Sequence, residues 1–183
     1  MSEENTQEKN LFIVNHYWQK MNQVPELEAK KNINMLLDNL VNLHNWEKNW
    51  EILLWECDDN AMTELAESHN NIIYVEKGSF DTFEKIVSTK NYKSIYVTGF
   101  HWSICVIDLI LDKIFPLMAT NKLKLKNQLY IVPDCSADLS YPSDISYKVD
   151  DPECNSAFYY INKWPYLRCT VSQILQEIEL SKK

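Results

Sequence analysis

Ser94-Ile95-Tyr96-Val97-Thr98-Gly99-Phe100-His101-Trp102-Ser103-Ile104-Cys105-Val106 is the stretch whose reading decides the fold. Ile95, Tyr96 and Val97 form a short β-branched and aromatic run, the signature of a buried strand. A turn containing Gly99 follows. Ser103 to Leu111 then reads as the first turns of a helix, with Ser103 as its N-cap. Cys105 falls in the first helical turn, just beyond the carboxyl end of a strand. An open α/β sheet places its ligand crevice at that point. Backbone N–H groups and the positive end of the helix dipole also lower a thiol pKa there. A buried core cysteine is the commoner fate of such a residue, so position alone leaves both readings open.

Outward from this unit the same pattern repeats. Leu11–Val14, Glu51–Trp55, Asn71–Val75 and Gln128–Val132 read as further strands, and Ala157–Ile161 as a sixth. Between and after them lie helical spacings over residues 27–46, 60–67, 81–88, 103–118 and 170–180, the last with Thr170 as a candidate cap. Pro116 is expected to bend or end the fourth of these helices. Strands alternating with helices predict an α/β fold: a three-layer, doubly wound, mainly parallel sheet of about six strands. Residues 1–10 read as a flexible N-terminal tail and 11–183 as a single domain.

Composition bounds the function. The chain has 183 residues, 45% hydrophobic and 24% charged, with a formal net charge of −8. That is ordinary for a globular domain and disfavours nucleic acid as a partner. Lys122-Leu-Lys124-Leu-Lys126 is a local basic cluster, read as a solvated loop face. No segment approaches the ~18 apolar residues of a membrane helix. The polar, acidic start is unlike a secretory signal, so a cytoplasmic location is expected. The five cysteines are widely spaced, with no C-x-x-C pair, which fits reduced thiols and neither a disulfide framework nor a zinc site. Glycine occurs only at positions 78 and 99, so each is expected to answer a backbone demand.

Three strand ends carry polar groups: Asn15 after the first, Lys77 after the third and Cys105 after the fourth. In a parallel sheet these ends share one edge, and a thiolate beside an ammonium is a chemically sensible nucleophile. The sequence here resembles the isochorismatase-like cysteine hydrolases, which include nicotinamidases and N-carbamoylsarcosine amidohydrolases. The resemblance is carried by Val97-Thr-Gly99-Phe-His-Trp-Ser-Ile-Cys105-Val106. Weaker support comes from Leu129-Tyr-Ile-Val-Pro-Asp134-Cys-Ser-Ala137, Val75-Glu-Lys77-Gly-Ser79-Phe80 and Leu11-Phe-Ile-Val14-Asn15. It spans roughly residues 11–180 and implies an isochorismatase-like fold and an Asp-Lys-Cys triad in which the cysteine adds to a carbonyl carbon. Carried over by position, it makes Cys105 the nucleophile and Lys77 the electrostatic support, with Asn15 at the aspartate position. The backbone N–H groups of His101 and Cys105 become the oxyanion hole, with an unusual cis bond at Phe100–His101. The family's dimers and larger assemblies make a homo-oligomer an expectation.

The departures are chemical. An amide at Asn15 cannot accept a thiol proton, and loss of a catalytic base costs on the order of 10²–10⁴ in rate. His16 and His101 are candidate substitute bases. His16, Phe100 and Trp102 are candidate substrate-binding residues, and the bulk of His101 and Trp102 either crowds the pocket or gives it an aromatic wall. Asp58 and Asp59 follow the second strand without the histidines of the nicotinamidase metal site, so no metal and no cofactor are expected. Two functions stay open. One is a hydrolase acting on a small amide or related molecule through a cysteine nucleophile; the other is an inactive relative that binds a small molecule or protein partner.

Overall fold

The strand Lys9–Asn15 (β1) is buried almost throughout, and its side chains alternate between two separate cores. Leu11 and Ile13 enter one, Phe12 and Val14 the other. A strand apolar on both faces needs helices over both, which is why its sequence is a continuous hydrophobic run. The structure, a computed structural model, describes residues 8–17, 24–88, 90–99, 105–125, 128–136 and 169–180.

Helix α1 (Val24–Val41) and a 3₁₀ turn (Trp46–Lys48) lead to β2 (Trp50–Trp55), α2 (Asn60–Ser68) and β3 (Ile72–Val75). Helix α3 (Phe80–Val87) and β4 (Asn91–Gly99) follow. After β4 a helical segment carries Cys105 and runs through a π-helix (Leu109–Ile114) into α4 (Phe115–Ala119). Strands β5 (Lys124–Leu125) and β6 (Leu129–Ile131), a 3₁₀ turn (Pro133–Cys135) and α5 (Val171–Leu180) complete the described elements. The strands lie in the order β3-β2-β1-β4-β5, with β6 also pairing β4, and every pairing among them is parallel. Helices α1, α2 and α5 cover one face through Ile33, Leu37, Met62 and Ile174. Helix α3 and the helix after β4 cover the other through Phe83, Val87, Val106 and Ile110. The expected three-layer, doubly wound α/β architecture is the one observed.

The amino edge of the sheet is closed by polar contacts. Buried Glu51 pairs with Lys90 at 2.7 Å and accepts from the Tyr92 hydroxyl at 3.2 Å. Glu177 on α5 pairs with Lys93 at 2.9 Å and accepts from the Tyr96 hydroxyl. Burial alone would raise the Glu177 pKa, but the hydrogen bonds from Tyr96 and Lys93 overcome it and hold the carboxylate below its ordinary value. α5 begins with a reciprocal cap: Gln173 N–H donates to Thr170 Oγ1 at 3.2 Å, and Thr170 N–H donates to Gln173 Oε1 at 2.8 Å.

Three local expectations are corrected. Lys9 and Asn10, read as tail, belong to β1, and Asn10 is buried. Of the two outcomes expected at Pro116, an end to the helix does not occur. The preceding turns widen, so that Phe115 N–H bonds the Ile110 carbonyl five residues back, and the helix continues to Ala119. A proline lacks the N–H and crowds the carbonyl four residues earlier, and a π-turn accommodates both. Lys124–Leu125, read as solvated loop, is the short strand β5, although Lys124 itself is exposed. The strand expected over 157–161 lies outside the described residues.

Candidate functional site at the carboxyl edge of the sheet

Strand order decides where a site can form. From β1 the chain moves one way to β2 and β3, then returns to lay β4 on the other side of β1. The switch point is therefore between β1 and β4, and the carboxyl ends of these strands are where an open α/β sheet takes its ligand. Asn15 and Gly99 are register partners at those ends. A Cβ on Gly99 would overlap the backbone carbonyl of Asn15. Gly99 does not have a positive φ, so the demand it answers is close approach of two strands rather than a left-handed turn.

Asn15 follows Leu11 and Ile13 in alternation, so it points toward the layer that holds the helix after β4. Its side chain is buried and donates through Nδ2 to the backbone carbonyl of Cys105 at 2.6 Å. Cys105 is half-buried. Two of the three expected site residues are thus brought together, with the amide on the cysteine's carbonyl. The third stands after β3, at one end of the strand order. Lys77 follows β3, is exposed, and forms no ion pair among the described residues. Its neighbour Gly78 lies against the Trp55 ring so closely that a Cβ there would overlap it. Phe100, His101 and Trp102, and with them the expected oxyanion-hole partner, the aromatic wall and the cis bond, lie outside the described residues.

The arrangement extends to two residues just past the ends of β1 and β2. His16 (φ 55) and Glu56 (φ 52) both occupy the left-handed region. Each costs about 1–2 kcal/mol there. Their backbones continue the ladder, His16 N–H to the Trp55 carbonyl at 2.9 Å and Glu56 N–H to the Val75 carbonyl at 2.6 Å. Their side chains meet: His16 Nε2 lies 3.0 Å from Glu56 Oε2, and His16 Nδ1 lies 2.6 Å from Asn15 Oδ1. The Cys105 carbonyl can only accept, so Asn15 must present Nδ2 to it and Oδ1 to His16. His16 Nδ1 therefore carries a proton. A second proton must lie between Nε2 and the Glu56 carboxylate, because two lone pairs at that distance repel.

The other described thiols are built differently. Burial pushes Cys57 and Cys135 up to about 12 and Cys169 up to about 11. These raised values predict alkaline unfolding. Above pH 9 the unfolded chain ionises thiols that the folded chain keeps neutral. The unfolded state then binds fewer protons, and stability falls as pH rises from about 9 toward 12. Cys57 and Cys135 each remove about 1.4 kcal/mol per pH unit across that window. A urea-melt series from pH 7 to 11 checks it.

After β2, Asp58 is exposed and Asp59 is fully engaged. Asp59 Oδ1 accepts from Ala61 N–H at 2.9 Å to cap α2, and its Oδ2 pairs with Lys30 at 3.2 Å. Among the described residues no group of three or more His, Cys, Asp or Glu side chains could hold a metal ion.

No protein-family model matches this sequence, and neither does any curated protein. Among solved structures the chain is similar to MAR1 ribonuclease from Caenorhabditis elegans, at 12% identity and a TM-score of 0.46, over 93% of this chain and 81% of that one. A likeness of that size carries no weight for family or activity.

Glu56 is the site residue that sequence reading passed over. A signal for it exists. In a parallel pair with Asn15 opposite Trp55, the residues one step further, His16 and Glu56, also become neighbours. Asp108, one helical turn after Cys105, is the other. Partial burial and Asp112 raise its pKa, while His16 pulls it back down. Among the described residues no helix is long and apolar enough to cross a membrane.

Proposed function

We propose that this chain is an isochorismatase-like hydrolase that acts on a small amide or related small molecule through Cys105. The observation that carries the reading is the hydrogen bond from Asn15 to the Cys105 carbonyl at the β1/β4 switch point. It ties the Cys105 backbone to the end of β1 at the switch point, where an open α/β sheet takes its ligand. In the proposed reaction the Cys105 thiolate adds to the amide carbon and the carbonyl electrons move to oxygen. Backbone N–H groups, those of Cys105 and His101, receive that oxyanion. Collapse expels the amine, which takes up a proton, and leaves a thioester on sulfur. Water then attacks the thioester, releasing the acid and restoring the thiol. Lys77 contributes positive charge at the rim, and His16, Phe100 and Trp102 face the substrate. The partner in this reading is a small molecule and not nucleic acid, in a cytoplasmic protein that assembles with copies of itself.

A second reading is favoured by one feature of the same bond. The Asn15 amide is engaged on a carbonyl and cannot take the thiol proton, as a relative that binds without turnover would have it.

The test is covalent trapping. The purified chain is mixed with a panel of small primary amides and carbamoyl compounds, quenched in acid and mapped by mass spectrometry. The hydrolase reading expects an acyl mass on Cys105 that hydroxylamine removes, with ammonia released. Saturable binding of a panel member without adduct or ammonia would overturn it in favour of the second reading.

A further inference from the structure

We infer that Glu56 is a positioning residue, which keeps His16 protonated so that His16 can orient the Asn15 amide that holds Cys105 at the switch point. The inference deepens the hydrolase reading and rests on it for its catalytic meaning. The chain of contacts is continuous: Glu56 Oε2 to His16 Nε2 at 3.0 Å, His16 Nδ1 to Asn15 Oδ1 at 2.6 Å, and Asn15 Nδ2 to the Cys105 carbonyl at 2.6 Å. Every direction in it is forced from one end. The carbonyl accepts, so the amide donates; the amide oxygen accepts, so Nδ1 donates; Nε2 then shares a proton with the carboxylate.

Two further observations are independent of that logic. His16 and Glu56 take left-handed conformations at adjacent strand ends, and neither is glycine. Relaxing either backbone would swing its side chain away from the other, so the strain persists at the place where the two meet. Asp108, on the helix that carries Cys105, also faces His16 electrostatically, with Asp112 and Lys113 beside it. Acidic groups from two elements thus face the imidazole, Glu56 from the end of β2 and Asp108 from the helix after β4. Both favour the cation. An imidazolium near Cys105 lowers the energy of a thiolate there, and Asn15 links the two through its contacts with His16 and the Cys105 carbonyl. The aspartate absent at position 15 is thus replaced by a neutral linker with a cation behind it.

The experiment follows His16 by NMR in the full chain, assigned with His16→Gln, together with the pH dependence of Cys105 alkylation by iodoacetamide. Glu56→Gln keeps the shape and removes the charge. It is expected to move the His16 midpoint down by about one unit or more and to slow Cys105 alkylation at pH 7 by about tenfold. Glu56→Asp, which keeps the charge, is expected to recover most of both, and it serves if the glutamine variant folds poorly. An unchanged His16 midpoint in Glu56→Gln overturns the inference. So does a shifted midpoint with an unchanged Cys105 rate. If both move together and no amide is turned over, the positioning role stands and the hydrolase reading falls.

Discussion

Gly99→Ala is expected to lower stability by about 3 kcal/mol, and the melting temperature by about 6–12 °C for a chain of this size. The added methyl meets the Asn15 backbone carbonyl, which belongs to the central strand. That strand is held by β2 on its other side and packed on both faces. Neither neighbour is the yielding tip of a flexible side chain, so β1 and β4 must part at their carboxyl ends. The parting opens the register pair Asn15–Gly99 and draws Asn15 Nδ2 away from the Cys105 carbonyl. Loss of alkylation rate at Cys105 should therefore accompany the loss of stability. A melt together with site-resolved labelling checks both. A Gly99→Ala protein that melts within a degree of the parent would show that the two strand ends are not in close contact.

Cys105→Ser is expected to reduce turnover of any amide substrate by on the order of 10⁴-fold or more, because the step that forms the covalent intermediate is lost. The fold should tolerate it. Cys105 is only half-buried, and its contact with Asn15 is through the backbone, which serine keeps. A stopped assay by ammonia release, with the melting temperature as control, separates loss of chemistry from loss of structure. Residual turnover within tenfold of the parent would place the chemistry on another residue.

Most of the fold was legible in the chain because its central strands are dressed on both faces. Phe12 and Val14, like Leu11 and Ile13, have to be buried, and only helices on both sides of a parallel sheet can do that. Helix α5 was announced by Thr170, which caps it. Strand β5 was not legible, because two residues carry no periodicity and Lys124 is exposed. The π-helix was not legible either. Pro116 argues for an end to the helix, but Ile114 and Leu117 on either side of it are buried, and that burial outweighs the lost hydrogen bond. At the site, strand-end counting found Asn15 and Cys105 together, and scarcity marked the two glycines as answering a backbone demand, which the structure shows to be close approach. It also placed Lys77 at the same sheet edge, just after β3, where its side chain is exposed. Glu56 was missed because strand-end counting stopped short of the step beyond the Asn15–Trp55 pair, where the two side chains meet through left-handed backbones.

The most direct measurement is the rate of Cys105 alkylation as a function of pH, read peptide by peptide in the native protein. A thiol activated at the β1/β4 switch point should react near neutral pH faster than a simple thiol. It should also react on the order of a thousandfold faster than Cys57 and Cys135, whose burial holds them up to about 12. If Cys105 reacts no faster than a simple thiol, with an ordinary thiol's pH profile, the switch-point cysteine is not a nucleophile and the account fails.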